Sequence, residues 1–178
     1  LEPLERGFGT TIGNALRRVM LSSMPGSAVT SVKIDGVMHE FQKIDGVRED
    51  VMNIILNLKS LVVKNYSTDK KVMHLTVSKE GPVLAGDIDH DADIEIVNPD
   101  LVICNLVKDG KISIEMTVDN GRGYVDAKEN KKKVGESAGV IPIDSLYSPV
   151  EKVSFEVENA RVGHNENYDK LIMNVYTN

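Results

Sequence analysis

The sequence predicts an α+β fold in which a mostly β segment is inserted into a smaller unit of one helix and a few strands. Near the N-terminus, residues 7–23 repeat apolar side chains at helical spacing. From residue 61 onward, apolar and polar side chains alternate instead, which is typical of half-buried strands. The last two alternating segments, residues 153–157 and 171–175, are expected to return to the first unit.

The predicted first helix has two different faces. The apolar stripe that we expect in the core consists of Ile12, Ala15, Leu16, Val19 and Met20. The outer flank carries Asn14, Arg17, Arg18 and Leu21. A leucine among guanidinium groups is typical of a docking surface, since arginine and apolar anchors dominate interface energies. A solvated flank with one stray leucine is the alternative. Thr10 or Thr11 is expected to cap the first turn.

A hairpin and a second helix are predicted next. Residues 29–35 alternate, Asp35-Gly36 is a favourable two-residue turn, and residues 37–41 are the expected return strand. After Asp45-Gly46, helical spacing relates Val47, Val51, Ile54, Ile55 and Leu58. We expect this amphipathic helix to pack on a sheet.

The middle of the chain is predicted to be mostly β. Alternation is clear in residues 73–77, 94–96 and 112–118. The turn signals that separate the strands are Gly81-Pro82, Asn98-Pro99, Asp109-Gly110 and Asn120-Gly121. Residues 126–139 are polar and rich in lysine, so we predict a mobile surface loop there.

Composition narrows the class of protein. The chain is 41% hydrophobic and 27% charged, as in ordinary globular proteins, and no apolar run is long enough to cross a bilayer. We therefore expect a cytoplasmic location. Cys104 is the only cysteine, which excludes an internal disulfide framework and predicts a core residue. The missing initiator methionine and the end after a strand-like run predict a fragment truncated at both ends.

The charge and the aromatic content argue against nucleic-acid binding. The net charge is −6, the basic residues are scattered, and there is no tryptophan to stack on bases. A binder of nucleic acid would need a segregated basic patch.

Two motifs suggest chemistry. Gly7, Gly9 and Gly13 have the wrong spacing for a dinucleotide fingerprint, and no P-loop lysine follows them. Asp89, Asp91 and Asp93 form a D-x-D-x-D array that could hold a divalent cation in a nucleotidyl-transfer enzyme. Solvated acids on one side of a strand are the simpler interpretation.

Long blocks of the sequence resemble a known family. The segment LEPLERGFGTTIGNALRRVMLSSMPG is similar to the start of the N-terminal domain of the bacterial DNA-directed RNA polymerase alpha subunit. The likeness continues, in order, through IDGVMHEF, GVREDV, NLK, NPDLVICNL, GRGYV, YSPVEKVSFEVENARVG and YDKLIMNVYTN. It therefore covers essentially the whole chain.

The resemblance implies an assembly scaffold for transcription. In that family, two alpha copies form a homodimer that binds the β and β′ subunits, which hold the nucleotidyltransferase centre. The resemblance thus implies no catalytic residue, cofactor or metal in this chain, no direct DNA contact from this fragment and no membrane. A homodimeric interaction domain unrelated to transcription is a further alternative.

The resemblance also implies positions for these contacts. Arg17, Arg18 and Leu21 would bind β, and Lys59 and Ile143 would contact β′. Residues 1–25 and 153–178 would form the discontinuous dimerisation subdomain, and residues 26–152 the inserted β-rich subdomain.

Overall fold

The computed structural model describes residues 1–135 and 137–178. Its helices are α1 (Phe8–Ser22), α2 (Val51–Lys59) and α3 (Ala127–Val134). Its first strands are β1 (Leu4–Glu5), β2 (Pro25–Ile34), β3 (Val63–Asn65), β4 (Lys71–Val77), β5 (Gly81–Leu84), β6 (Ile94–Ile96) and β7 (Val102–Leu106). The later strands are β8 (Ile112–Arg122), β9 (Tyr124–Val125), β10 (Val140–Pro142), β11 (Ser145–Leu146), β12 (Val150–Val162) and β13 (Asn165–Thr177). The predicted α+β class is confirmed.

The chain folds as two compact units. Residues 1–25 and 148–178 form the first, which we call the terminal unit. Residues 26–147 form the second, the central unit. The expected boundary at residue 152 falls within β12, whereas the observed division precedes that strand.

The terminal unit is a helix packed on an antiparallel sheet of strand order β1-β13-β12. In the long β12–β13 pair, Phe155 lies opposite Met173 and Val157 lies opposite Leu171. These four apolar residues share one face of the sheet because side chains alternate along a strand. That face packs against α1.

Helix α1 forms where the sequence predicts it, but its packed face differs from the predicted one. Gly9 and Gly13 are buried, whereas Ala15 is exposed and Val19 is 53% exposed. Ile12, Leu16 and Met20 are half-buried. The prediction that Ala15 and Val19 lie in the core is wrong, because the glycine side of the helix allows the closest approach to the sheet.

The predicted threonine cap of α1 is also wrong. Gly7 occupies the cap position with a φ of 90°, a left-handed conformation that glycine adopts without steric cost. The Thr11 hydroxyl donates back to the Gly7 carbonyl at 3.2 Å instead of accepting from the first turn.

The central unit is built on an antiparallel sheet of strand order β4-β8-β2-β3-β6, with β10 also paired to β2. The buried side of α2 carries Val51, Ile54, Ile55 and Leu58, as predicted. This helix begins after the predicted Val47, because the Asp50 carboxylate accepts from the Asn53 amide at 2.9 Å and caps it. Its apolar side joins the core formed by the inner residues of β4 and β8.

The predicted return strand at residues 37–41 is wrong. The Val37 amide donates to the Ile34 carbonyl at 3.1 Å, and the Met38 and His39 amides donate to the Gln42 side chain. These local bonds use the amides that a strand ladder would need. Strand β2 instead lies between β8 and β3 in the sheet and also pairs with β10.

The predicted loop at residues 126–139 contains helix α3 and is wrong in that part. The Asp126 carboxylate caps the helix by accepting from the Lys128 and Glu129 amides. Asn130 is fully buried, and its Nδ2 donates to the Ile143 carbonyl at 2.7 Å and to the Ser145 hydroxyl at 2.9 Å. These bonds fix a helix that has little apolar surface. Glu136, in the same predicted loop, lies outside the described residues.

Candidate partner-binding surfaces

Helix α1 is held to its sheet at the N-terminal end by a buried carboxylate. Asp169 is 8% exposed, and its Oδ2 accepts from the Gly7 amide at 2.9 Å and from the Gly9 amide at 3.2 Å. The first amides of a helix have no partner inside the helix, and a negative charge also interacts favourably with this end of its dipole. Asp169 therefore fixes where α1 begins.

The middle of α1 lies close to β12 because Gly13 has no side chain. A Cβ at this position would lie 2.6 Å from Cδ2 of Phe155 and 2.7 Å from Cε2. The sequence analysis considered Gly9 and Gly13 only as a nucleotide-binding motif and did not identify Asp169. Two glycines four residues apart on one helix face are a signal that could have identified the close approach.

The predicted β-binding residues lie on the exposed side of α1. Arg17 and Arg18 are exposed, and Leu21 is 37% exposed. At 100° per residue, Arg18 projects opposite the side that carries Gly9 and Gly13. Within residues 1–135 and 137–178, neither guanidinium forms an ion pair. Both groups are therefore available to a carboxylate of a partner.

A second exposed surface on α1 is apolar. Phe8 is 51% exposed and Val19 is 53% exposed, and Ala15 lies between them at helical spacing. We call these three residues the apolar stripe of α1. Because the sequence analysis assigned Ala15 and Val19 to the core, it did not identify this surface.

The predicted β′-contact residues lie in the central unit. Lys59 ends α2, and its Nζ lies 2.7 Å from Oδ2 of Asp144. The other carboxylate oxygen of Asp144 accepts from the Ala127 amide at 2.9 Å, at the start of α3. The hydrogen bond from Lys59, followed by that from Ala127, lowers the pKa of Asp144 below its ordinary value. Asp144 therefore remains ionised at neutral pH and links α2 to α3.

Ile143 is positioned differently from Lys59. It is 2% exposed, belongs to the core of the central unit, and its amide donates to the Thr30 carbonyl at 3.0 Å. A partner could reach only the edge of this residue, whereas the Lys59 side chain is 33% exposed.

The aspartate array contacts a lysine. The Lys71 Nζ lies 2.8 Å from Asp93 Oδ2 and 3.4 Å from Asp91 Oδ2, and the Asp93 bond is the main reason that the pKa of Lys71 is raised. The third acid, Asp89, pairs with His74 through the backbone. In the described part of the chain, no three histidine, cysteine, aspartate or glutamate side chains are arranged to hold a metal ion. The arrangement fits surface ion pairs.

No helix among the described residues combines the length and the apolar character that crossing a membrane would require.

Comparison with known proteins gives one consistent family. A family model described as "RNA polymerase Rpb3/RpoA insert domain" matches residues 32–148. A "DNA-directed RNA polymerase subunit alpha" from Desulforamulus reducens is 57% identical over 179 residues, which is 100% of this chain and 56% of the relative. Two proteins of the same name from Desulfitobacterium hafniense strains are each 56% identical over 178 residues, again 100% of this chain and 56% of each relative. The chain thus spans about half the length of the curated relatives that it matches.

Proposed function

The chain belongs to the family of bacterial RNA polymerase alpha subunits, and from this premise we propose that it is a non-catalytic assembly scaffold of DNA-directed RNA polymerase. In this proposal, two alpha copies form a cytoplasmic homodimer that binds the β and β′ subunits. Nucleotidyl transfer is then a property of the assembled polymerase, and this chain provides binding surfaces.

The apolar stripe of α1 supports dimerisation through the terminal unit. Phe8 and Val19 are each about half exposed, at 51% and 53%. Obligate homodimer interfaces are more apolar than the rest of a protein surface, and large apolar side chains in water favour association. We therefore assign the contact between alpha copies to a surface that includes this stripe.

We place the proposed contact with the β subunit on the outer face of α1. Arg17, Arg18 and Leu21 combine two exposed guanidinium groups, which form no ion pair among the described residues, with a partly exposed apolar side chain. Arginine can form two parallel hydrogen bonds to a carboxylate, and such pairs become strong when a partner excludes water. The exposure of these three side chains on α1, with Arg18 projecting away from the packed face, is the observation on which the proposal rests.

The proposed β′ contact is centred on Lys59. The Lys59 ammonium group pairs with Asp144, and the Lys59 side chain is 33% exposed. Ile143 contributes to this proposed site through the buried surface beneath it.

Replacing Arg18 with alanine tests the β assignment. Because the Arg18 side chain is exposed, we expect Arg18→Ala to leave the melting temperature unchanged. We expect it to weaken capture of purified β by at least about 2 kcal/mol, or about 30-fold, as interface arginines do. Titration of labelled β with the full-length alpha dimer would measure this loss.

The matched control is Arg6→Ala, which removes an exposed arginine that precedes α1. Its affinity for β should stay within about twofold of wild type. Wild-type affinity in the Arg18→Ala variant would contradict the assignment of β to this face.

A further inference from the structure

The central unit contains a cavity of about 290 Å³ whose walls come from β2, β8, β10 and α3, and we call it the polar cavity. Among the described residues, its lining consists of three lysines, two acids, one asparagine, three hydroxyl side chains and two valines. Most of these side chains can form hydrogen bonds or ion pairs. A site of this size and polarity suits a small hydrophilic ligand better than it suits a polypeptide.

One side chain in the lining is a buried hydroxyl. Ser31 is 3% exposed, and its Oγ forms no hydrogen bond with any residue that the structure describes. Val32 and Ile34 belong to the core of the central unit, so the alternation of side chains along β2 directs Ser31 to the side of the cavity that it lines. A buried polar group without a hydrogen bond costs free energy, so binding of a hydrogen-bonding group here would be favourable.

A buried amide also lines the polar cavity. Asn130 is fully buried, and its Nδ2 is already used by the Ile143 carbonyl and the Ser145 hydroxyl. Its Oδ1 accepts no hydrogen bond within the described part of the chain. An amide oxygen only accepts, whereas the Ser31 hydroxyl both donates and accepts. The two groups together suit a ligand that carries hydroxyl groups.

The lysines of the lining are not all neutralised by the protein. The Lys70 Nζ lies 3.8 Å from Oδ2 of Asp119, so these two charges are paired. Lys33 and Lys133 are exposed and form no ion pair among the described residues. Lysine binds phosphate as a point charge, and a phosphate monoester carries about −1.5 to −2 charges at neutral pH. Two such ammonium groups would therefore neutralise one phosphate group.

The rest of the lining distinguishes a sugar phosphate from a nucleotide. No aromatic side chain belongs to the described lining, so a nucleobase would find no ring on which to stack. Glu115 also lines the cavity, and its carboxylate can accept hydrogen bonds from hydroxyl groups. The same carboxylate would repel a polyphosphate.

We propose that the polar cavity binds a small phosphorylated sugar or polyol. The phosphate pairs with Lys33 and Lys133, and the hydroxyl groups form hydrogen bonds with Ser31, Asn130 and Glu115. This inference goes beyond the scaffold function and does not depend on it, because the cavity lining includes none of the residues assigned to the β, β′ or dimer contacts.

Titration calorimetry on the full-length alpha subunit tests the proposal. The probes are ribose 5-phosphate, glucose 6-phosphate and glycerol 3-phosphate, and we expect at least one of them to bind with a Kd below about 1 mM. Ribose lacks the phosphate and inorganic phosphate lacks the hydroxyl groups, so each should bind at least about tenfold more weakly. Failure of all three probes to bind at about 10 mM, or equal affinity for inorganic phosphate, would overturn the proposal.

Substitutions in the lining test which residues hold the ligand. The Lys33→Gln and Lys133→Gln double variant changes exposed side chains, so we expect an unchanged melting temperature and at least about a tenfold loss of affinity. Ser31→Ala should weaken binding by about fivefold through the loss of one hydrogen bond. The matched control is Lys132→Gln, on α3 but outside the lining, which should stay within about twofold of wild type. Wild-type affinity in the double variant would contradict the site.

Hydrogen exchange with mass spectrometry locates the ligand without any substitution. A saturating sugar phosphate should slow amide exchange in β2, β8 and α3, because binding stabilises the folded form around the cavity. Protection confined to the terminal unit would overturn the proposal. Capture of β is measured separately, so failure of the polar cavity leaves the scaffold function standing, and failure of the scaffold function leaves the cavity.

Discussion

At the scale of single residues, two buried polar side chains position the helices that carry the proposed contacts. Asp169 binds the first amides of α1, and Asn130 attaches α3 to the Ile143 carbonyl and the Ser145 hydroxyl. A buried polar group costs free energy unless it is hydrogen-bonded, so each of these side chains favours one position of its helix. Arg18 and Lys131 are exposed on these two helices, and neither side chain takes part in the hydrogen bonds that hold its helix in place.

Cys104 gives a prediction at the same scale. Its side chain is fully buried, and burial, with a smaller contribution from the Glu49 charge, raises the pKa of the thiol to about 12. We expect the native thiol to react with Ellman's reagent at pH 8 at least about 100-fold more slowly than free cysteine. The same thiol should react fully in denaturant.

Because the folded state holds the thiol in its neutral form, the contribution of Cys104 to stability should fall as the pH rises above the ordinary value of about 8.5. Fast labelling of the native chain would contradict the burial of this residue.

At the scale of elements, helix α1 packs on its sheet through glycines, which have no side chain to hold the two apart. Gly9 and Gly13 are buried against β12 and β13, and a Cβ on Gly9 would lie 2.7 Å from Cγ1 of Val157. Glycine lowers helix stability by about 1 kcal/mol relative to alanine in an exposed helix. The close approach of helix and sheet in the terminal unit compensates for that cost through added contact.

Replacing Gly13 with alanine tests this description. Although alanine favours helices, its Cβ would meet the Phe155 ring, so we expect Gly13→Ala to destabilise the chain by about 1 to 3 kcal/mol. Urea unfolding followed by circular dichroism would measure the change. Asn14→Ala, at the next and exposed position, should instead be neutral or slightly stabilising. Equal stability of the two variants would show that Gly13 is not closely packed.

The same elements show how far sequence reasoning reaches. The existence of α1 and α2 and the exposure of Arg18 could be predicted, because apolar periodicity is a local property. The packed face of α1 could not, since a helical wheel gives glycine no weight. Helix α3 was missed because one buried amide, Asn130, replaces the apolar stripe that a prediction looks for.

The candidate surfaces follow the same division. The β-binding side chains lie within one helix and could be proposed from their spacing. By contrast, Met38, Met52 and Lys131 are far apart in the sequence and line one cavity of about 440 Å³, so only the folded chain brings them together.

At the scale of the whole molecule, the two units differ in how much apolar core they contain. The main cluster of buried apolar side chains lies entirely between Val29 and Ile143, within the central unit. In the described part of the terminal unit, the buried apolar side chains beyond glycine are Val150, Val153, Ala160 and Leu171. Stability rises with buried apolar area, so the terminal unit has the smaller reserve.

We therefore expect the 178-residue chain to unfold in two steps. Amides of α1, β12 and β13 should exchange with deuterium sooner than those of β4 and β8, because the terminal unit opens first. Hydrogen exchange with mass spectrometry at increasing urea would separate the steps.

In the full-length alpha subunit, dimerisation should slow exchange in the terminal unit more than in the central unit, since binding stabilises the folded form. A single transition shared by both units would contradict the two-step expectation.

In α3, the residue that holds the helix in place, Asn130, is different from the residues that are exposed to a partner. Lys128, Lys131 and Lys132 project from this helix into solvent, while the amide that seats it is enclosed. Mutations at the three lysines therefore alter the electrostatic character of the surface and leave its scaffold in place. Such mutations can therefore change which partner is bound, one residue at a time, while the helix itself is retained.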